Sequence, residues 1–119
     1  MFRYATPHGN KEKKINLEEF IEKYNNGEAV LIDIRMPFEV KVWNIPFALH
    51  IPADELENRL SEIPKDKTVV VACPTQNRSP FAAMYLRDNG FDAKYLEGGF
   101  LNLISKLKGG DAKKLKIRN

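Results

Sequence analysis

The stretch Thr68–Gly90, TVVVACPTQNRSPFAAMYLRDNG, constrains the fold more than any other part of the chain. Val69, Val70 and Val71 form an apolar β-branched run, the pattern of a strand covered on both faces. Ser79 is a favourable helix N-cap, and Pro80 suits the first helical position, where a missing N–H costs no hydrogen bond. Phe81, Ala82, Ala83, Tyr85 and Leu86 then supply an apolar helix face, and Gly90 suits the helix end. Between strand and helix lies a short polar loop that opens on Cys73, the chain's only cysteine.

The rest of the chain repeats the alternation of strand and helix. A short strand is expected at Met1–Ala5 and a polar loop at Thr6–Lys14. Asn16 caps a helix carrying Leu17, Phe20, Ile21 and Tyr24 at helical spacing, with Glu19 in the capping-box position and Asn25-Asn26-Gly27 as the stop. Ala29–Ile34 reads as a strand interrupted by Asp33, an acid that needs a partner; Arg35 looks too close along the strand to be the obvious one. One or two helical turns follow at Phe38–Trp43, then a strand at Ala48–Ile51. A helix is expected at Ala53–Ile63, with Leu56, Leu60 and Ile63 inward and Asp54, Glu55, Glu57 and Glu62 outward. Pro64–Lys67 turns into the central strand. Ala93–Leu96 is a further strand, Gly98-Gly99 a turn, and Phe100–Leu107 a last amphipathic helix ended by Gly109-Gly110. This alternation predicts an α/β fold: a mostly parallel sheet of about five strands with helices on both faces. In such sheets the site lies at the carboxyl ends of the strands, where Cys73 falls.

Cys73 has two readings on the residues alone, an ordinary buried core thiol or a nucleophile. The surrounding order favours the second. Backbone N–H groups without helical partners gather at the start of a helix, and the helix dipole adds positive charge there. Arg78 contributes a permanent cation. A free thiol ionises near pH ~8.5, and such surroundings lower this to roughly 3.5–7.5.

The loop C-P-T-Q-N-R-S (Cys73–Ser79) resembles the active-site loop of the single-domain rhodaneses, a sulfurtransferase family. V-L-I-D-I-R (Val30–Arg35) resembles that family's early strand, and P-F-E-V with I-P-F-A-L-H-I-P (Pro37–Pro52) the segment after it. Y-L-E-G-G-F (Tyr95–Phe100) resembles its late strand and Gly-Gly turn. The four motifs stand in the family's order and cover about residues 15–107. The resemblance implies one rhodanese-like domain over 15–107, after an N-terminal segment 1–14 and before a basic tail 108–119. It also implies that Asp33 and Arg35 brace the loops beneath the site. The chain departs from the family pattern in four places. Trp43-Asn44 replaces Gly-His, Phe47 replaces a Gly, His50 stands where an Asn is common, and the loop holds no glycine. His50 reads as structural rather than as a base.

Three functions compete. In a sulfurtransferase, Cys73 takes the outer sulfur of a donor such as thiosulfate and passes it to a thiol, a sulfur-acceptor protein or cyanide. Pro74, Thr75, Gln76, Asn77, Arg78 and Ser79 bind the substrate, through backbone N–H groups (except at Pro74) and polar side chains. A cysteine phosphatase or arsenate reductase fits less well: four residues separate Cys73 from Arg78, and such phosphatases by resemblance have five. A non-catalytic rhodanese-like sulfur carrier or binding module is the third.

The remaining expectations are of absence. One Cys and two His, His8 and His50, give no metal-ligand spacing, and no nucleotide fingerprint occurs, so neither metal nor cofactor is expected. No apolar run reaches the ~18–20 residues that span a bilayer. The net charge is +3, and residues 106–119 carry a net +5 through Lys106, Lys108, Lys113, Lys114, Lys116 and Arg118 against Asp111. No aromatic residue interleaves with these cations, which argues against nucleic acid. A single free thiol and no signal-peptide core lead to the expectation of a cytoplasmic protein.

Overall fold

The computed structural model describes residues 14–42, 45, 47–72, 78–99 and 103. Five strands, β1 (Lys14–Ile15), β2 (Ala29–Asp33), β3 (Leu49–His50), β4 (Thr68–Ala72) and β5 (Asp92–Leu96), form one sheet. Their order is β1-β5-β4-β2-β3, and every pairing is parallel. Three α-helices accompany them: α1 (Leu17–Asn25), α2 (Pro37–Val42) and α3 (Ser79–Asp88), with a 3₁₀ segment at Ala53–Glu62.

The valine run occupies the central strand. All five residues of β4 are buried, and successive side chains serve opposite faces of the sheet. Val69 and Val71 pack with Ile32, Leu56, Ala83 and Leu86 on the face covered by α3 and the 3₁₀ segment. Val70 and Ala72 pack with Leu31, Phe20, Tyr24 and Leu103 on the face covered by α1. Each buried valine contributes about 1.5–3 kcal/mol relative to an exposed one. Helices therefore lie on both faces, as the alternation predicts.

Local signals explain most of the elements. Asn16 caps α1, its Oδ1 accepting from Glu19 N at 2.8 Å. The turn after β5 needs positive φ at Gly98 (79°) and Gly99 (63°), a region side chains resist. Three expectations need correction. Lys14 belongs to an edge strand and not to a loop, pairing in register with Tyr95; a two-residue strand has no periodicity to detect. Ala53–Glu62 is 3₁₀ with a break at Arg59 (φ −122°, ψ 20°) rather than an α-helix. Only Leu56 within it is fully buried, too little apolar anchoring to distinguish a repeat of 3.0 from 3.6. Phe81 does not join the apolar face of α3 but stands 68% exposed. The strand expected at Met1–Ala5, the Trp43-Asn44 substitution, the last helix apart from Leu103, and the basic tail lie outside the described residues.

Candidate functional site

The site is framed by the carboxyl ends of β2 and β4 and the amino end of α3. β4 ends at Ala72 and α3 begins at Ser79. Cys73, Pro74, Thr75, Gln76 and Asn77 join them and lie outside the described residues; Arg78 and Ser79 are described.

Both stems of this loop are tied to one segment, Ile34–Glu39. On the β4 side, Ile34 N donates to Ala72 O at 3.2 Å. On the α3 side, the Arg78 guanidinium grips Glu39, with Nη2–Oε2 at 3.2 Å and both Nη atoms 3.3 Å from Oε1. Glu39 is itself fixed, since its Oε1 accepts from Met36 N at 2.9 Å across the first turn of α2. The Met36 N–H bond and then the Arg78 partner hold its carboxyl below the usual carboxylate range, against the opposing effect of burial. Because the folded pKa is depressed, Glu39 adds to stability at neutral pH. That contribution is lost as pH falls through the lowered value. Arg78 remains 44% exposed in its side chain, so the pair itself contributes at most about 1 kcal/mol. Glu39 was not singled out in the sequence; its only local signal is an acid in the first turn of a short helix.

The segment is braced from below. Asp33 and Arg35 are 1% and 5% exposed. Arg35 Nη2 donates to Asp33 Oδ2 at 2.8 Å and Nε to Oδ1 at 3.0 Å, while Arg35 N also donates to Oδ1 at 3.0 Å. Proximity in sequence thus makes Arg35 the partner, contrary to the expectation, because β2 ends at Asp33, the Asp33 carboxylate accepts from Arg35 N across a turn, and the long side chain folds back onto it. His50 Nε2 lies 2.7 Å from Arg35 O. A carbonyl only accepts, so Nε2 carries the proton and His50 clamps the same segment.

Ser79 departs from its expected role. Arg78, not Ser79, holds the N-cap position of α3, with helical dihedrals (φ −98°, ψ −30°) and no capping hydrogen bond from its side chain. Ser79 is fully buried, and among the described residues its Oγ has no hydrogen-bond partner. A buried hydroxyl left without a partner costs roughly 1–3 kcal/mol, and this one adjoins residues 73–77, which lie outside the described residues. Among the described residues no group of three or more His, Cys, Asp or Glu is arranged to hold a metal. No helix among them is long and apolar enough to cross a membrane.

The same architecture occurs in known proteins. The family pattern "Rhodanese-like domain" matches residues 16–106. A rhodanese-related protein from Thermoplasma volcanium superposes with a TM-score of 0.70 at 29% identity, covering 79% of this chain and 92% of that one. A human single-domain sulfurtransferase superposes with a TM-score of 0.71 at 27% identity, covering 79% and 96%. A Rhodopseudomonas palustris protein of unknown function, described as a possible tyrosine phosphatase, gives a TM-score of 0.62 at 25% identity, covering 74% and 76%. With the parallel five-strand sheet, the braced Asp33–Arg35 turn and a match across most of its length, this chain belongs to the rhodanese-like domain family.

Proposed function

We propose that the protein is a sulfurtransferase acting through a persulfide on Cys73. The Cys73 thiolate attacks the outer sulfur of thiosulfate. The new S–S bond forms as the old one breaks, and the electron pair leaves with sulfite, giving a Cys73 persulfide anion and a sulfite dianion. An acceptor thiolate then attacks the terminal sulfur and leaves Cys73 as thiolate again. Backbone N–H groups of residues 75–79 and the side chains of Thr75, Gln76, Asn77 and Ser79 donate to the bound sulfur, and Arg78 orients the anionic donor. The observation that carries this reading is the double tether of Ala72 and Arg78 to Ile34–Glu39. It fixes both ends of the nucleophile loop before any substrate arrives.

The test is mass spectrometry of the intact protein after incubation with thiosulfate, polysulfide or glutathione persulfide. A gain of one sulfur atom is expected. No gain with any of the three donors overturns the enzyme reading in favour of a binding module. A phosphatase reading has one observation in its favour, the likeness to the Rhodopseudomonas palustris protein. The four-residue spacing from Cys73 to Arg78 stands against it, and Cys73-dependent phosphate release from an aryl phosphate would establish it.

Two further outcomes follow from the frame. Arg78→Ala removes a charge-assisted contact and is expected to lower kcat/KM for thiosulfate by roughly tenfold or more, with a smaller loss for a neutral donor. Glu39→Gln weakens the tether that holds Arg78 in place and is expected to raise KM for thiosulfate by roughly two- to fivefold. An equal loss for charged and neutral donors in both variants would make the pair purely structural. Ser79→Ala deletes a hydroxyl that has no hydrogen-bond partner among the described residues. The urea midpoint should hold or rise slightly, while sulfur loading slows; a marked fall in the midpoint would contradict the placement of this hydroxyl.

A further inference from the structure

A groove of about 410 Å³ runs between α3 and the 3₁₀ segment, lined by Leu56, Phe81 and Tyr85 with Asp54, Glu57 and Arg78 among its polar residues. It meets the nucleophile loop at Arg78. Phe38 and Phe81, 69% and 68% exposed, are the two exposed large hydrophobic residues among those described. Both adjoin the tether: Phe38 precedes Glu39, and Phe81 follows Arg78 by one helical turn. Phe81 and Tyr85 stand together in the groove with Leu56, so the apolar surface there is contiguous and not a single exposed ring.

The charges of the groove select its occupant. Residues three apart in a 3₁₀ helix lie above one another, which places Asp54 and Glu57 together along the groove wall. The neighbouring acids Glu55 and Glu62 are both taken by Arg59, at 3.1 and 2.8 Å. Asp54 and Glu57 have no ion-pair partner among the described residues. The cation in the groove, Arg78, is engaged by Glu39. The wall is therefore apolar and aromatic, with two carboxylates uncompensated among the described residues.

We infer that this groove docks the sulfur acceptor, a peptide segment of a protein that carries its thiol beside an apolar side chain and a basic residue. The inference rests on the sulfurtransferase reading. The apolar side chain covers Phe81 and Tyr85, and the basic residue faces Asp54 and Glu57. The same basic residue favours the thiolate of the acceptor, the form that takes the sulfur from the Cys73 persulfide.

The experiment follows transfer from the thiosulfate-loaded full chain to three probes. These are dithiothreitol, a short peptide with cysteine flanked by leucine and arginine, and its twin with glutamate for arginine. At low salt the basic peptide is expected to be used roughly fivefold or more better than the acidic one. Asp54→Lys with Glu57→Lys should reverse that preference, and Phe81→Ser should raise KM for the basic peptide, with dithiothreitol unaffected in both variants. Equal use of the two peptides, or a double variant that leaves the preference unchanged, overturns the proposal. So does a dimer in sedimentation that Phe81→Ser dissociates, since the groove then belongs to a second copy. Binding of the same peptides with serine for cysteine, followed by fluorescence anisotropy, does not depend on Cys73 chemistry. A basic-over-acidic preference there that the double variant abolishes upholds the groove even if no persulfide forms, and no preference there overturns it.

Discussion

Asp33→Ala is expected to lower the stability of the fold by roughly 3–5 kcal/mol, the cost of breaking a buried ion pair from one side. The Arg35 side chain is 6% exposed, so removing the carboxylate takes a two-point partner away from a guanidinium with little access to water. Arg35→Met leaves the opposite charge behind and should cost a similar amount. Asp33→Ala combined with Arg35→Met removes both charges at once, and it should recover part of the loss. Urea titration of the four proteins closes a double-mutant cycle that isolates the pair. If Asp33→Ala shifts stability by less than about 1 kcal/mol, the pair is not what holds this turn. The consequence for function is specific. The Asp33–Arg35 turn continues into Ile34–Glu39, which holds Ala72 and Arg78. The folded fraction of the destabilised variants should therefore load sulfur more slowly than wild type.

The parts of this architecture that were legible in the sequence are those decided by neighbours in the chain. Val69–Val71 declare a doubly covered strand because no polar side chain interrupts them, and Asn16 declares a helix start because its partner Glu19 N is three residues away. Where a local signal competes with packing, the local signal fails. Ser79 has the chemistry of a cap, but the helix starts one residue earlier and its hydroxyl is buried. Phe81 has the chemistry of a core residue, but α3 fills its inner face with Ala82, Ala83 and Leu86. Where a contact is tertiary, no local signal exists. Glu39 and Arg78 are 39 residues apart, and only the adjacency of β2 and β4 brings α2 to the amino end of α3. Arg35 is the instructive intermediate case, since its short separation from Asp33 is what allows the side chain to fold back. The order of the candidate site residues, Cys73 to Ser79, is legible because it is contiguous. Its setting is not, because Ile34, Glu39 and His50 supply that setting from other strands and helices.

Cys73→Ser is expected to abolish sulfur loading and lower transfer on the order of 10³-fold or more. The argument is chemical. A serine hydroxyl is not ionised near neutral pH, so no anion waits in the loop, and oxygen cannot hold a second sulfur in a persulfide. Cys73 is the chain's only cysteine, so the variant has no thiol at all, and every persulfide that wild type forms must reside at that position. The size and polarity change is small, and the urea midpoint is expected to stay at the wild-type value, which separates lost chemistry from lost structure. Incubation with thiosulfate, digestion and mass spectrometry of the peptide spanning residue 73 give the direct readout. Sulfur transfer that survives in Cys73→Ser would require a carrier other than a protein thiol, and the covalent mechanism would fall. Loss of loading with an unchanged midpoint assigns the transferred sulfur to the Cys73 thiol.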